Sequence, residues 1–225
     1  MNERDFKDNL YKEFTRIGKC LSSPKRLEIL EVLTQGPKSV EAISKVTSMS
    51  IANVSQHLQT LHHAKLVANK KRGNFVIYEL ADPAVLHFLD SLYRLSEKQL
   101  IEVQHIKKQF LDQLSDIEEV SLEELLSRME AGEVTLIDVR PKDEFEAAHI
   151  PGAISMPIEE LAEQLNSLPV KSKIVAYCRG PYCLMSVKAI ELLKSRGLDA
   201  ARFSMRVQDW DAITTMPTGE EEVIG

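Results

Sequence analysis

At 225 residues the chain exceeds the usual size of one domain, and two compact domains are the first expectation. Its 44% hydrophobic content is that of a globular protein, which excludes a disordered chain. No apolar run is long enough to cross a bilayer and the charged start MNERDFKDNLYKEF is not a secretory signal, so a cytoplasmic protein without membrane partners is expected, its three cysteines thiols rather than a disulfide framework. The net charge of -6 is unevenly spread. Residues 1–80 carry 13 Lys or Arg against 8 Asp or Glu, whereas residues 116–225 carry 11 against 21. The first segment tolerates a polyanion and the last repels one.

In chain order, Phe6, Leu10, Phe14 and Ile17 predict a helix over 3–18. Ser22-Ser23-Pro24 caps a second helix through Leu27, Ile29, Leu30 and Leu33, which Gly36-Pro37 ends. Ser39 caps a short helix over 40–46, and the turn Thr47–Ser50 leads into a helix over 51–63 that buries Ile51, Val54, Leu58 and Leu61. Two short helices so closely joined predict a helix-turn-helix. Residues 66–71 and 75–80, separated by Arg72-Gly73-Asn74, predict a hairpin with a basic tip. A helical run from Asp82-Pro83 to about Leu114 is too long for a small domain, and packing against a second copy, a homodimer, is expected. The domain boundary is placed at Ser115–Glu119, giving domains 1–115 and 116–225.

Beyond Val120 short strands and helices alternate. Ser121 and Glu124 form a capping-box pattern before a helix over 122–130. Strands are predicted at 135–139, 173–177 and 200–203, and helices at 143–148, 159–167 and 183–196. The expected fold is multi-domain: an all-α-rich winged helix-turn-helix with a long dimerisation helix, then an α/β domain with a mostly parallel sheet.

The polar face of helix 51–63 offers Ala52, Asn53, Ser55, Gln56, Gln59 and Thr60, short enough to approach base edges, with Gln56 and Gln59 suited to adenine. Lys45, His57, Lys65, Lys70, Lys71 and Arg72 suit phosphates or the neighbouring minor groove. For the same residues the alternative is an ordinary solvated face. Residues 13–80, with SSPKRLEILEVL, VSQHLQTLHHAKLV and VANKKRGNFVIYEL, resemble the ArsR/SmtB family of winged-helix repressors. That resemblance implies homodimers on double-stranded palindromic operators, recognition by residues 51–61, a wing tip at 71–74, and a dimer interface from helices 3–18 and 83–110. Residues 40–49 hold no Cys, His or Asp, Cys20 stands apart, and His87 and His105 are 18 residues apart, so neither a metal site nor a cofactor is expected.

In the second domain Cys178-Arg179-Gly180-Pro181-Tyr182-Cys183 joins the apolar strand KIVAY to a helix. A thiol there faces backbone N–H groups and a helix N-terminus, with Arg179 adding positive charge, and this favours the thiolate. Cys183 is near enough to meet Cys178 in a disulfide or polysulfide bridge, or else is a packed thiol; both stay open. Residues 117–217, with LIDVRPKDEFEAAHIPGAISMP, IVAYCRGPYC and AIELLKSRGLDAARF, resemble the single-domain rhodanese family. This implies that Cys178 carries sulfane sulfur as a persulfide, taken from a sulfane sulfur donor and held by N–H groups of residues 179–183. Asp138 and Arg140 would brace the loop, and Glu144, His149, Pro151 and Gly152 fall on the family's helix and turn. On chemistry alone, Arg140 is expected to pair with Glu144, and His149 to hydrogen-bond structurally. Two positions depart from the family: Cys183 stands where an arginine is common, and Met205 and Arg206 where a glycine pair is common. Leu184 excludes the phosphatase loop, which needs arginine there. Three functions follow: a regulator that carries or senses sulfane sulfur, a thiosulfate or polysulfide sulfurtransferase whose first module mainly dimerises, and a dimeric scaffold without either activity.

Overall fold

The computed structural model describes residues 2–112, 117–165 and 173–214. Two compact units divide the chain, residues 1–105 and 106–225. Residues 113–116, which hold the expected end of the long helix and the start of the expected boundary, lie outside the described residues, as do residues 166 and 167 of the expected helix 159–167.

In the first unit α1 (Glu3–Leu21), α2 (Pro24–Thr34), α3 (Val40–Thr47) and α4 (Ile51–His63) precede a hairpin of β2 (Val67–Arg72) and β3 (Phe75–Leu80). Ser39 and Ser50 cap α3 and α4 by accepting from the Ala42 and Asn53 amides at 3.2 and 3.3 Å, each cap worth about 1 kcal/mol. Between these helices Ser48 takes the left-handed conformation (φ 55) that lets the chain reverse within a few residues. Ile29, Leu30, Ile43, Val54, Leu58 and Leu61 are fully buried and hold α2, α3 and α4 together. Ile51, expected inside, is 53% exposed: as the first residue of α4 it precedes the turn that meets the core. The two-residue tip Gly73-Asn74 closes the hairpin, with Gly73 at φ 60. A short strand that residue pattern does not announce, β1 (Lys38–Ser39), pairs with β3 and completes a sheet of order β1-β3-β2.

The long helix is not continuous. α5 (Pro83–Gln99) ends at Leu100, whose backbone is extended (φ -102, ψ 109), and α6 (Ile101–Asp112) starts anew and crosses from the first unit into the second. Neither Pro nor Gly marks the break. The Glu97 carbonyl freed at the end of α5 accepts from Gln104 Nε2 at 3.0 Å, which offsets the lost helical bond.

In the second unit α7 (Leu122–Glu130) is followed by β4 (Val134–Asp138), α8 (Lys142–Ala147), β5 (Ile154–Ser155), α9 (Leu161–Gln164), β6 (Lys173–Tyr177), α10 (Met185–Ser195), β7 (Ala200–Phe203) and α11 (Val207–Thr214). The strands form one parallel sheet of order β5-β4-β6-β7. Both faces are covered, so these strands read as continuous apolar runs. Ile174 and Ala176 pack with Leu161, Ile190 and Leu193 of α9 and α10. Val175 and Tyr177 face the other way, onto Leu125, Val207 and Trp210 of α7 and α11. By the same alternation the residue after β6, Cys178, falls on the α10 face.

Candidate nucleic-acid interface and thiol site

On α4 the buried side of Val54, Leu58 and Leu61 leaves Ala52, Asn53, Gln56, Gln59 and Thr60 exposed, and Ser55 and His57 half-buried. Lys70, Lys71 and Arg72 are exposed along β2 at the wing. Lys70 Nζ lies 2.5 Å from Glu79 on the paired strand, so its charge is already partly balanced. The spacing that brings these residues together is local, one helix face and one hairpin, and therefore readable from the sequence.

At the carboxyl ends of β4 and β6, the place where parallel sheets open a crevice, the second unit brings distant residues together. Cys178 Sγ is buried, 3.2 Å from Ser186 Oγ in the first turn of α10 and 3.5 Å from the Cys183 carbonyl oxygen. Burial pushes this thiol up. Hydrogen bonds from the Cys183 and Ser186 side chains and from the backbone at Ser186 and Gly180 outweigh burial and pull it down to about 6. The proton stays on Cys183, which its hydrogen bond to Cys178, then burial, then the nearby sulfur charge push well above the ordinary thiol range. The two cysteines thus differ in acidity: the Cys178 thiol is pulled down and the Cys183 thiol beside it is pushed up. Both are free thiols.

The loop between them is pinned by its neighbours. Gly180 sits at φ 125, and a Cβ there would lie 2.5 Å from Arg206 Cγ, so glycine is required twice over. Arg206, standing where the family's glycine pair was expected, therefore packs its stem on the loop and points its guanidinium to Asp209 at 3.0 Å. Arg179 reaches the fully buried Glu144 of α8 through Nη2 and Nε at 2.6 and 2.9 Å. Arg140, expected to pair with Glu144, closes on Asp138 at 2.6–3.0 Å, both side chains wholly buried, and also donates to the Ala148 carbonyl at 2.7 Å. The charge of Glu144 also acts on Arg140, so Glu144 lies close to both guanidinium groups while it accepts hydrogen bonds from Arg179. The added positive charge expected of Arg179 is accordingly tied to a carboxylate. His149 binds the Phe145 carbonyl through Nδ1 at 2.9 Å and stacks on that ring, a structural position.

Three participants were not singled out from the sequence. Tyr177, on the opposite face, accepts from the Ile150 amide at 3.1 Å and ties β6 to the turn after α8. Ser186 touches the sulfur. Arg202, on β7 and 2% exposed, donates through Nε to Ser186 Oγ at 3.1 Å and through Nη2 to the Pro181 carbonyl at 2.7 Å. The only cue for Arg202 was an arginine inside an otherwise apolar strand. Among the described residues no group of three or more His, Cys, Asp or Glu is placed to hold a metal ion, and no helix is long and apolar enough to cross a membrane.

A winged helix-turn-helix unit followed by a parallel α/β unit with a cysteine loop at the end of its central strand defines the class of this protein. Residues 23–69 match the model of bacterial regulatory proteins of the arsR family, and residues 121–209 that of the rhodanese-like domain. The chain is 36% identical over 223 residues to the HTH-type transcriptional regulator Rv0324 of Mycobacterium tuberculosis, covering 99% of this chain and 97% of that one. The chain therefore belongs to the arsR family of bacterial regulatory proteins, with a rhodanese-like domain fused behind the winged helix. It is also 31% identical over 104 residues to the thiosulfate:glutathione sulfurtransferase of Homo sapiens, covering 40% of this chain and 90% of that one. A solved homodimeric winged helix-turn-helix DNA-binding domain from Mycobacterium bovis is 31% identical and superposes with a TM-score of 0.42, covering 44% of this chain and 91% of that one.

Proposed function

We propose that the chain is a homodimeric DNA-binding transcription regulator whose rhodanese-like domain takes up sulfane sulfur as a persulfide on Cys178. The observation that carries this reading is the Cys178 sulfur, held against the Ser186 hydroxyl at the end of β6 in surroundings that lower its pKa despite burial, in a chain that also presents a polar recognition face and a basic wing. Support for assembly comes from α1, where Phe6, Leu10, Tyr11, Phe14 and Ile17 expose an apolar stripe, the kind of surface that a partner covers. The chemistry is a displacement at sulfur. With thiosulfate, the Cys178 thiolate attacks the outer sulfur, a new S–S bond forms, the old one breaks and sulfite leaves with its electron pair. A sulfur that is 1% exposed is reached by a slender terminal sulfur or after the loop moves.

The test reads one sample twice: intact mass before and after inorganic polysulfide, and operator binding before and after. Sulfur gain, or the hydrogen loss and hydrosulfide release of a disulfide formed from the adduct, together with changed binding is expected. The same mass change with binding that is weak and indifferent to sequence favours the second reading, a sulfurtransferase whose first unit mainly dimerises, which the likeness to the human sulfurtransferase supports. A wild-type chain that neither gains sulfur nor releases hydrosulfide overturns both.

For the DNA interface, replacing Lys71 and Arg72 with uncharged residues is expected to weaken binding to all sequences and flatten its salt dependence by about one unit per lost phosphate contact. Changing Gln56 instead alters which sequences are bound. An unchanged salt slope in the wing variant removes the wing from the interface.

A further inference from the structure

Each arginine around the cysteine loop has a carboxylate partner except one. Arg179 is bound to Glu144, Arg206 to Asp209 and Arg140 to Asp138, whereas no ion pair among the described residues includes Arg202. A guanidinium 2% exposed has lost its water and cannot shed its proton, so a buried cation of this kind needs an anion or a full set of acceptors. Its acceptors are Ser186 Oγ at 3.1 Å and the carbonyls of Pro181 at 2.7 Å and Gly180 at 3.4 Å.

These contacts have a direction. Arg202 Nε–H occupies a lone pair of Ser186 Oγ, and the hydroxyl proton of Ser186 is then free to point at the sulfur 3.2 Å away. The same guanidinium holds the Pro181 carbonyl of the loop and, at 3.4 Å, the Gly180 carbonyl, whose oxygen lies 4.0 Å from the sulfur, so it offsets the negative end that this carbonyl turns to the site. Through Ser186 Oγ the guanidinium is one hydrogen bond away from the Cys178 sulfur.

We propose that Arg202 is the positioning residue of the thiol site: acting through Ser186, it makes that hydroxyl a donor to the Cys178 sulfur and serves as the buried counter-charge of the sulfur anion. It takes the place of the arginine that the loop lacks at Cys183, supplying the charge from β7, behind the sulfur, rather than from the loop. The inference rests on the reading of Cys178 as the reactive thiol. The other titratable groups close to the sulfur are Cys183, which stays protonated beside it, and Arg179, which Glu144 pairs but which the cysteine charges also act on.

The test is the pH profile of Cys178 alkylation by iodoacetamide, read by mass on the full-length chain. The wild-type midpoint is expected near the value of about 6 given by the site geometry. Arg202→Met and Ser186→Ala both move it upward, with about a tenfold loss of rate per unit of displacement when measured well below the midpoints. Arg202→Lys restores part of the shift, and the double variant Arg202→Met with Ser186→Ala shifts less than the sum of the singles, because the two act in one chain of hydrogen bonds. A folded Arg202→Met with the wild-type midpoint overturns the proposal. Should that variant fail to fold, Ser186→Ala, which removes one oxygen, overturns it equally by an unchanged midpoint. Alkylation needs no sulfur donor. A wild type with a low midpoint that neither gains sulfur nor releases hydrosulfide on treatment with polysulfide therefore sinks the persulfide reading and leaves the role of Arg202 standing.

Discussion

Cys178→Ser is expected to abolish sulfur uptake from polysulfide, while Cys183→Ser keeps a single-sulfur adduct that reductant removes. The first follows from acidity. A thiol pulled down to about 6 is almost wholly thiolate at neutral pH, whereas a serine hydroxyl in the same ring of donors stays protonated and does not attack sulfur. The second follows from order of attack. Cys183 holds its proton while the charge sits on Cys178, so it is not the first nucleophile. Once Cys178 carries a persulfide, its charge has moved to the outer sulfur, and Cys183 can lose its proton and attack Sγ. A disulfide forms, the persulfide S–S bond breaks, and hydrosulfide leaves with the electron pair. Wild type should therefore release hydrosulfide and lose two free thiols, and Cys183→Ser should do neither. An equal loss of free thiols in wild type and Cys183→Ser on treatment with polysulfide removes the bridge and makes Cys183 a packing residue. Uptake on Cys20 or Cys183 at the wild-type rate in Cys178→Ser removes Cys178 as the nucleophile.

Asp138→Ala should strongly destabilise the second unit, with the first unit left at wild-type stability. Asp138 and Arg140 are wholly buried, and the carboxylate accepts from Arg140 Nε, Nη2 and the Arg140 amide at 2.6–3.0 Å. Deleting one member of such a pair leaves a desolvated charge, at a cost of about 3–5 kcal/mol. That is a large part of the 5–15 kcal/mol, roughly, that holds a domain together. For a unit of this size the melting temperature should fall by more than about 10 °C. Hydrogen exchange read separately over β2–β3 and over β4–β6 distinguishes the units: protection should collapse in the second set and persist in the first. Wild-type protection over β4–β6 would show that Arg140 is held by the Ala148 carbonyl and its surroundings without Asp138.

Much of this molecule is determined by residue order alone, because the forces concerned act over one or two turns. Ser39, Ser50 and Ser121 cap helices that start one residue later, the apolar spacing of α4 decides which residues face outward, and KIVAY and AARF are strands from end to end. The capping box at Ser121 forms only in half: Ser121 accepts from the Glu124 amide, but the Glu124 carboxylate turns to Arg128. Nothing local distinguishes Leu100 from its helical neighbours, and only its extended backbone in the folded chain reveals the break. The ion pairs of the thiol site are equally tertiary. Arg179 and Glu144 are 35 residues apart, and Arg202 lies 16 residues beyond Ser186. They meet because β4, β6 and β7 lie side by side and end at one edge of the sheet. Sequence spacing states which charges exist, but a guanidinium pairs with whichever buried acceptor the strand order brings within 3 Å, and only the folded sheet sets that distance.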